Sequence, residues 1–181
     1  MLTKQQYEAA RQRALEYFDK LKIALTEEER QSIEVADFGL SDLERVGLQI
    51  LTYVNTAKVC AKELVLFPHQ TCPEHRHVDS PAAHGKEETF RCRYGKVYLY
   101  VEGTPAENIK AKKFWKNDNE VTVFHEIELT EGQQYTLNPN TRHWFQGGPE
   151  GAVVSEFSTT STDEYDVFTD PLISRMPEIA D

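Results

Sequence analysis

From about Leu48 onward the chain is a succession of short runs rich in β-branched and aromatic residues, broken by turn residues and never by a helical period. The runs are residues 48–54, 59–67, 89–93, 96–102, 120–129, 134–137 and 153–158. Such residues suit a pleated, half-buried surface. Tyr94-Gly95 and Glu131-Gly132 read as tight turns, and Pro139-Asn140 and Gly147-Gly148-Pro149 as longer ones. Parallel strands need long, usually helical crossovers, and none is available here. The pattern therefore calls for an antiparallel sandwich or barrel.

The first fifty residues have a different texture. Thr3 with Gln6 forms a capping-box pattern, and Tyr7, Ala10, Ala14, Phe18, Leu21 and Leu25 follow at helical spacing. Thr26 with Glu29 repeats the box, and Ser41 with Glu44 does so again after a 37–39 turn, so three helices are predicted. Residues 161–181 read as an irregular tail across the surface, with Asp163, Asp166 and Asp170 as its solvated charges. The expected organisation is a single domain: a helical segment at 1–47 packed outside a β-barrel at 48–160, then the tail.

A net charge of -10 disfavours nucleic acid and anionic membrane as partners, since both would repel the chain. The apolar runs are of strand length and the N-terminus is charged, so neither a membrane span nor a secretory leader is expected. Cys60, Cys72 and Cys92 form no CxxC pair and suit reduced, buried thiols in a cytoplasmic protein.

Chemistry concentrates in four residues. His75 and His77 stand two apart, which on a strand puts both imidazoles on one face. Glu88 follows across a polar loop, and His143 lies eleven residues after Gly132. Three imidazoles and a carboxylate suit Mn2+, Fe2+, Co2+, Ni2+ or Zn2+, with positions left open on an octahedral ion. Glu156 interrupts an otherwise apolar or small run, where a carboxylate needs a partner or a task, and is read as a general base or a buried ion pair. Lys62 shares its parity with Leu64 and Leu66, and Lys86 precedes Glu88 by two; either could reach a substrate oxygen. Trp144, Phe145, Gln146 and Asp170 are further candidates for lining a pocket, while His125 reads as a satisfied core histidine.

The spacing HxH, Glu88, Gly95, then Gly132 to His143, resembles the two motifs of the cupin superfamily, a mainly β double-stranded β-helix or jelly roll. Departures are His69 in a usual glycine slot, and Asn138 and Asn140 in the proline and glycine slots of the second motif. The stretches at 85–103 (GKEETFRCRYGKVYLYVEG), 131–146 and 151–171 resemble, more specifically, the D-lyxose isomerase family of cupins. That resemblance implies a Mn2+-dependent isomerase of D-lyxose and D-xylulose, and of D-mannose and D-fructose, working as a homodimer on a small sugar. It implies metal ligands at His75, His77, Glu88 and His143, a catalytic base at Glu156, and assisting lysines at Lys62 and Lys86. The alternatives are a cupin dioxygenase using Fe or Ni at the same ligands, and a non-catalytic sugar-binding cupin.

Overall fold

The computed structural model describes residues 2–81, 83–176 and 179–180. It begins with a two-residue strand β1 (Leu2–Thr3), then helix α1 (Lys4–Lys20) and the short α2 (Glu27–Ser32). Both capping boxes form: the Thr3 and Thr26 hydroxyls accept from the Gln6 and Glu29 amides, and those side chains accept from the cap amides in return. The helix expected from Ser41 does not form. Ser41 sits at φ 55°, whereas an N-cap takes extended backbone, and the Arg45 and Val46 amides both return to Asp42 O in one isolated turn. Strand β2 (Glu34–Ala36) follows α2, ahead of that turn.

The sheet follows, as β3 (Leu48–Asn55), β4 (Cys60–Leu66), β5 (Thr71–Arg76), β6 (Glu88–Val101), β7 (His125–Thr130), β8 (Gln134–Leu137), β9 (His143–Ser158) and β10 (Val167–Phe168). Strand β11 (Ile179–Ala180) pairs in parallel with β1. The main sheet is antiparallel throughout, in the order β10-β5-β9-β4-β3-β2, with β6 joining β9 to β7 and β8. The mainly β double-stranded β-helix with helices outside, expected above, is the architecture observed.

Two of the expected turns are bulges instead. Tyr94-Gly95 and Gly147-Gly148-Pro149 lie inside β6 and β9, which run on through them with register shifts at Cys92/Tyr94 and Gly95/Val97. Glycine there lets two long strands coil together rather than reverse. Gly95 takes φ 70°, and a Cβ on it would lie 2.2 Å from Gly151 O. The turns at Glu131-Gly132 and Pro139-Asn140 do form, and Asn140 takes the left-handed φ of 64° that its motif slot requires. The 120–129 run becomes strand only from His125, because the Thr122 and Val123 amides go to the Glu74 carboxylate, at 2.6 and 3.0 Å, rather than to a neighbouring strand.

Period-two alternation divides the core in two. On β4, Lys62, Leu64 and Leu66 point into the barrel with Phe90 and Phe145, while Val65, and Phe67 just past the strand, point outward beneath Ala10, Ala14 and Phe18 of α1. The two sheet edges meet where Phe38, just past β2, packs on Phe168 of β10 with ring centroids 5.7 Å apart. The segment from Asp163 is therefore no surface tail: it pairs with β5, and Ser174 N donates to Phe38 O at 3.0 Å. Of the expected tail, Pro177, Glu178 and Asp181 lie outside the described residues. No helix among the described residues is long and apolar enough to cross a membrane.

Gly95→Ala should lower stability by about 2 kcal/mol or more, from the forced left-handed conformation and the close Gly151 carbonyl. A urea midpoint unchanged from wild type would contradict that role for the bulge.

Candidate metal centre and active site

Strand β5 brings His75 opposite His143, the first residue of β9, and Glu88 opens β6 across the barrel. His77 lies just beyond the end of β5. All four are buried. The nearest ligand atoms of the three histidines lie within 4.8 Å of one another, and Glu88 Oε1 is 3.1 Å from Nε2 of both His77 and His143. The Nδ1 atoms face outward to acceptors: Pro73 O at 2.8 Å for His75, Thr141 O at 3.0 Å for His143, and Asp166 Oδ1 at 2.5 Å for His77. A carbonyl oxygen can only accept, so Nδ1 of His75 and of His143 carries the proton, and the Nε2 lone pairs are left pointing inward. His143 Nε2 is fully buried and, despite its nearness to Glu88, has no aligned hydrogen-bond partner. A buried acceptor without a donor, beside two more imidazoles and a carboxylate, is what a divalent cation would satisfy. These residues fit a metal ion.

A second group adjoins the first. Lys86 Nζ is 3.0 Å from Glu88 Oε2 and 2.8 Å from Glu156 Oε1. Lys62 and Glu156 are cross-strand partners on β4 and β9, with Lys62 Nζ 3.8 Å from Glu156 Oε1 and 2.6 Å from Asp163 Oδ2. Arg175 Nη2 reaches the same Asp163 oxygen at 3.3 Å and also pairs with Glu34. The cavity, counted with the open space at its mouth, spans about 390 Å³. Its lining mixes these charges, His75 and His77 with the apolar Phe38, Leu48, Ile50, Leu64, Phe90 and Phe145. A small polar molecule suits such a space.

A family model described as D-lyxose isomerase matches residues 16–181. The chain belongs to the D-lyxose isomerase family. It is 59% identical over its whole length, and that of the relative, to the D-lyxose/D-mannose isomerase of Thermosediminibacter oceani. It is also 59% identical to the D-lyxose ketol-isomerase of Cohnella laeviribosi, covering 96% of both chains, and 56% to that of a Thermofilum species, covering 99% of both. Among solved structures, L-ribose isomerase of Cellulomonas parahominis superposes with a TM-score of 0.75 at 16% identity, covering 99% of this chain and 98% of that one, which makes the fold a shared one. L-ribose isomerase of an Acinetobacter species does so with the same score and coverage at 15% identity. As a member of this family the protein is a sugar isomerase, not a dioxygenase or a sensor.

Within this isomerase, Lys62, Lys86, Glu88 and Glu156 meet as one cluster beside the histidines. Gln146 and Asp170 do not line the cavity. The Gln146 amide is held by Lys112 and Thr71, and Asp170 accepts from the Leu172 amide beside a separate groove. Phe145 lines the cavity, Trp144 stacks on Tyr100 in the core with Phe114 and Trp115 packed against it, and His125 bonds Thr104 O. Asp163 and Asp166, read above as solvated charges, and Arg175 all belong to the cavity wall. The available signal for them was Val167-Phe168, a β-type dipeptide directly after Asp166 in a stretch otherwise without pattern.

Opposite charges outweigh burial at Lys86, Asp163 and His77, but not at His75. Burial alone would lower Lys86, yet Glu156, Glu88 and Asp163 hold it well above its ordinary value. Burial would raise Asp163, but Lys86, Lys62 and Arg175 hold it well below the usual carboxylate range. Burial, then the neighbouring imidazoles, push His75 well down. Burial and Lys86 push His77 down too, but Glu88 and Asp166 prevail and hold it up at about 9.

His77 thus has a folded value above the unfolded value of about 6.5, and its contribution to stability is complete below about pH 6.5 and lost as pH rises through about 9. The Tm of chelator-treated protein should fall across that window, and less so in a His77→Gln variant. Identical slopes for the two proteins would refute the assignment.

Proposed function

We propose that this cavity interconverts D-lyxose and D-xylulose, and D-mannose and D-fructose as related substrates, by moving a proton between C1 and C2 through a cis-enediol. The reading is carried by one observation: a buried carboxylate, Glu156, sits beside the four-residue cation cradle and shares Lys86 with it. His75, His77, Glu88 and His143 would hold the metal, Mn2+ in this reading, with Co2+, Fe2+, Ni2+ or Zn2+ also suited to the donor set. A bound divalent cation supplies Lewis acidity to the carbonyl and hydroxyl oxygens of the open-chain sugar, which acidifies the C–H alpha to the carbonyl.

Glu156 takes the proton from C2 of the aldose and returns it to C1 of the ketose. As the C2 electrons become the C1–C2 double bond, the carbonyl oxygen O1 gains a proton, and O2 loses its proton only in the second step, when C1 is protonated and the ketose carbonyl forms. Lys86, within reach of both Glu156 and Glu88, and Lys62 behind Glu156 are the ammonium donors able to steady the negative charge that develops on those oxygens. Both lysines are held charged by the surrounding carboxylates, so they act as electrostatic partners and not as bases. The apolar side chains of the lining, Leu64, Phe90 and Phe145 among them, keep water from the enediol. Gln146 and Asp170, engaged elsewhere, have no part in this scheme.

A homodimer in the cytoplasm completes the proposal. Three free cysteines, all buried, accord with a reducing compartment.

Strictly anaerobic incubation with Mn2+ and D-lyxose or D-mannose should yield the matching ketose by NMR. Glu156→Gln should keep its metal and lose about 10²- to 10⁴-fold in kcat. Near-wild-type turnover in that variant would remove Glu156 as the base, and turnover that requires oxygen would remove the isomerase chemistry altogether.

A further inference from the structure

The three cradle histidines are not oriented in the same way. His75 and His143 each give their Nδ1 proton to the carbonyl of the residue two before them, Pro73 and Thr141. These contacts are local, and each comes with the strand that carries the histidine. His77 has left its strand and finds no such carbonyl. Its Nδ1 is 2.5 Å from Asp166 Oδ1, contributed from 89 residues further along the chain.

Asp166 is itself firmly held. The following residues pair with β5, Val167 opposite Arg76 and Phe168 opposite His75. Thr169 is pinned twice to Glu74, its amide to Glu74 O at 3.0 Å and its hydroxyl to Glu74 Oε1 at 2.6 Å. Glu74 is 1% exposed, and its carboxylate also receives the Thr122 hydroxyl and the Thr122 and Val123 amides, so this anchor is rigid. On the other side of Asp166, its amide donates to Asp163 O at 3.1 Å.

We infer that Asp166 is a positioning residue: by accepting the Nδ1 proton of His77 it fixes that ring's tautomer and aims Nε2 at the cation, and so sets the affinity of the metal site. A carboxylate behind a ligating imidazole both orients the ring and makes Nε2 a better donor. The inference rests on the metal reading above. It adds that the ligand outside the sheet depends on the residue just before β10, the strand that closes the sheet's edge against β5. Asp166 works through His77 and does not act on the sugar.

Mn2+ titration of metal-free wild type and Asp166→Asn, followed by calorimetry and by EPR of free Mn2+, tests this directly. Asparagine preserves shape and an acceptor oxygen but not the charge, and Asp166→Ser serves as a second variant if the amide disturbs folding. The variant should bind Mn2+ about 10- to 100-fold more weakly. Its metal-free circular dichroism should match wild type, and kcat should return to near wild type once Mn2+ is saturating. Unchanged Mn2+ affinity in a folded variant would overturn the inference, and so would a kcat that stays low at saturating Mn2+, which would put Asp166 on the substrate instead. Wild-type protein that binds no divalent cation would sink the metal reading itself, a result distinct from either.

Discussion

Everything at the functional end of this molecule depends on mutual neutralisation of charges sealed inside a barrel. Lys62, Lys86, Glu88 and Glu156 are each no more than 5% exposed, and none could stay ionised there alone. Each sits within 4 Å of a side chain of the opposite type, in a chain that runs from Asp163 through Lys62, Glu156 and Lys86 to Glu88. That chain links Glu156 to the histidine cluster around Glu88. Removing one member would leave its buried neighbours with fewer partners of opposite type, so the site and the fold constrain each other here.

Strand β9 makes this arrangement possible. Paired on both sides over sixteen residues, it carries His143 at one end and Glu156 near the other. Glu156 faces inward between Lys62 of β4 and Phe90 of β6, and His143 lies between His75 of β5 and Val101 of β6. A strand able to serve both positions has to bend, and the glycine-rich 147–151 stretch lets it do so without a break. The aromatic contact of Phe38 with Phe168 then draws the two outer edges of the sheet together over the cavity.

Much of this was legible in the residues. Period two in β4 pointed Lys62 inward, the HxH pair and the Gly132-to-His143 spacing marked the four cradle residues, and Asn140 stood where a left-handed residue was required. The errors share a cause. Ser41 has the side-chain chemistry of a helix cap but not the backbone, and Tyr94-Gly95 has the chemistry of a turn but forms a bulge inside β6, whose pairing with β9 continues on both sides of it. Local signals of this kind state a preference of a few residues, and pairing along a whole strand overrides it.

The sequence by itself determined the strand periodicity, the two capped helices and which imidazole, carboxylate and lysine side chains stand at inward-facing positions. These follow from the alternation of side chains along a strand and from ligand chemistry, both properties of neighbours in the chain. Only the tertiary structure decided that Asp163, Asp166 and Arg175 belong to the site, and that Gln146 and Asp170 are held outside the cavity. Asp166 meets His77 across 89 residues, and no periodicity encodes that distance. It arises because β10 pairs with β5 at the open edge of the sheet, a contact between elements that are remote in the chain and adjacent only once the barrel has curled.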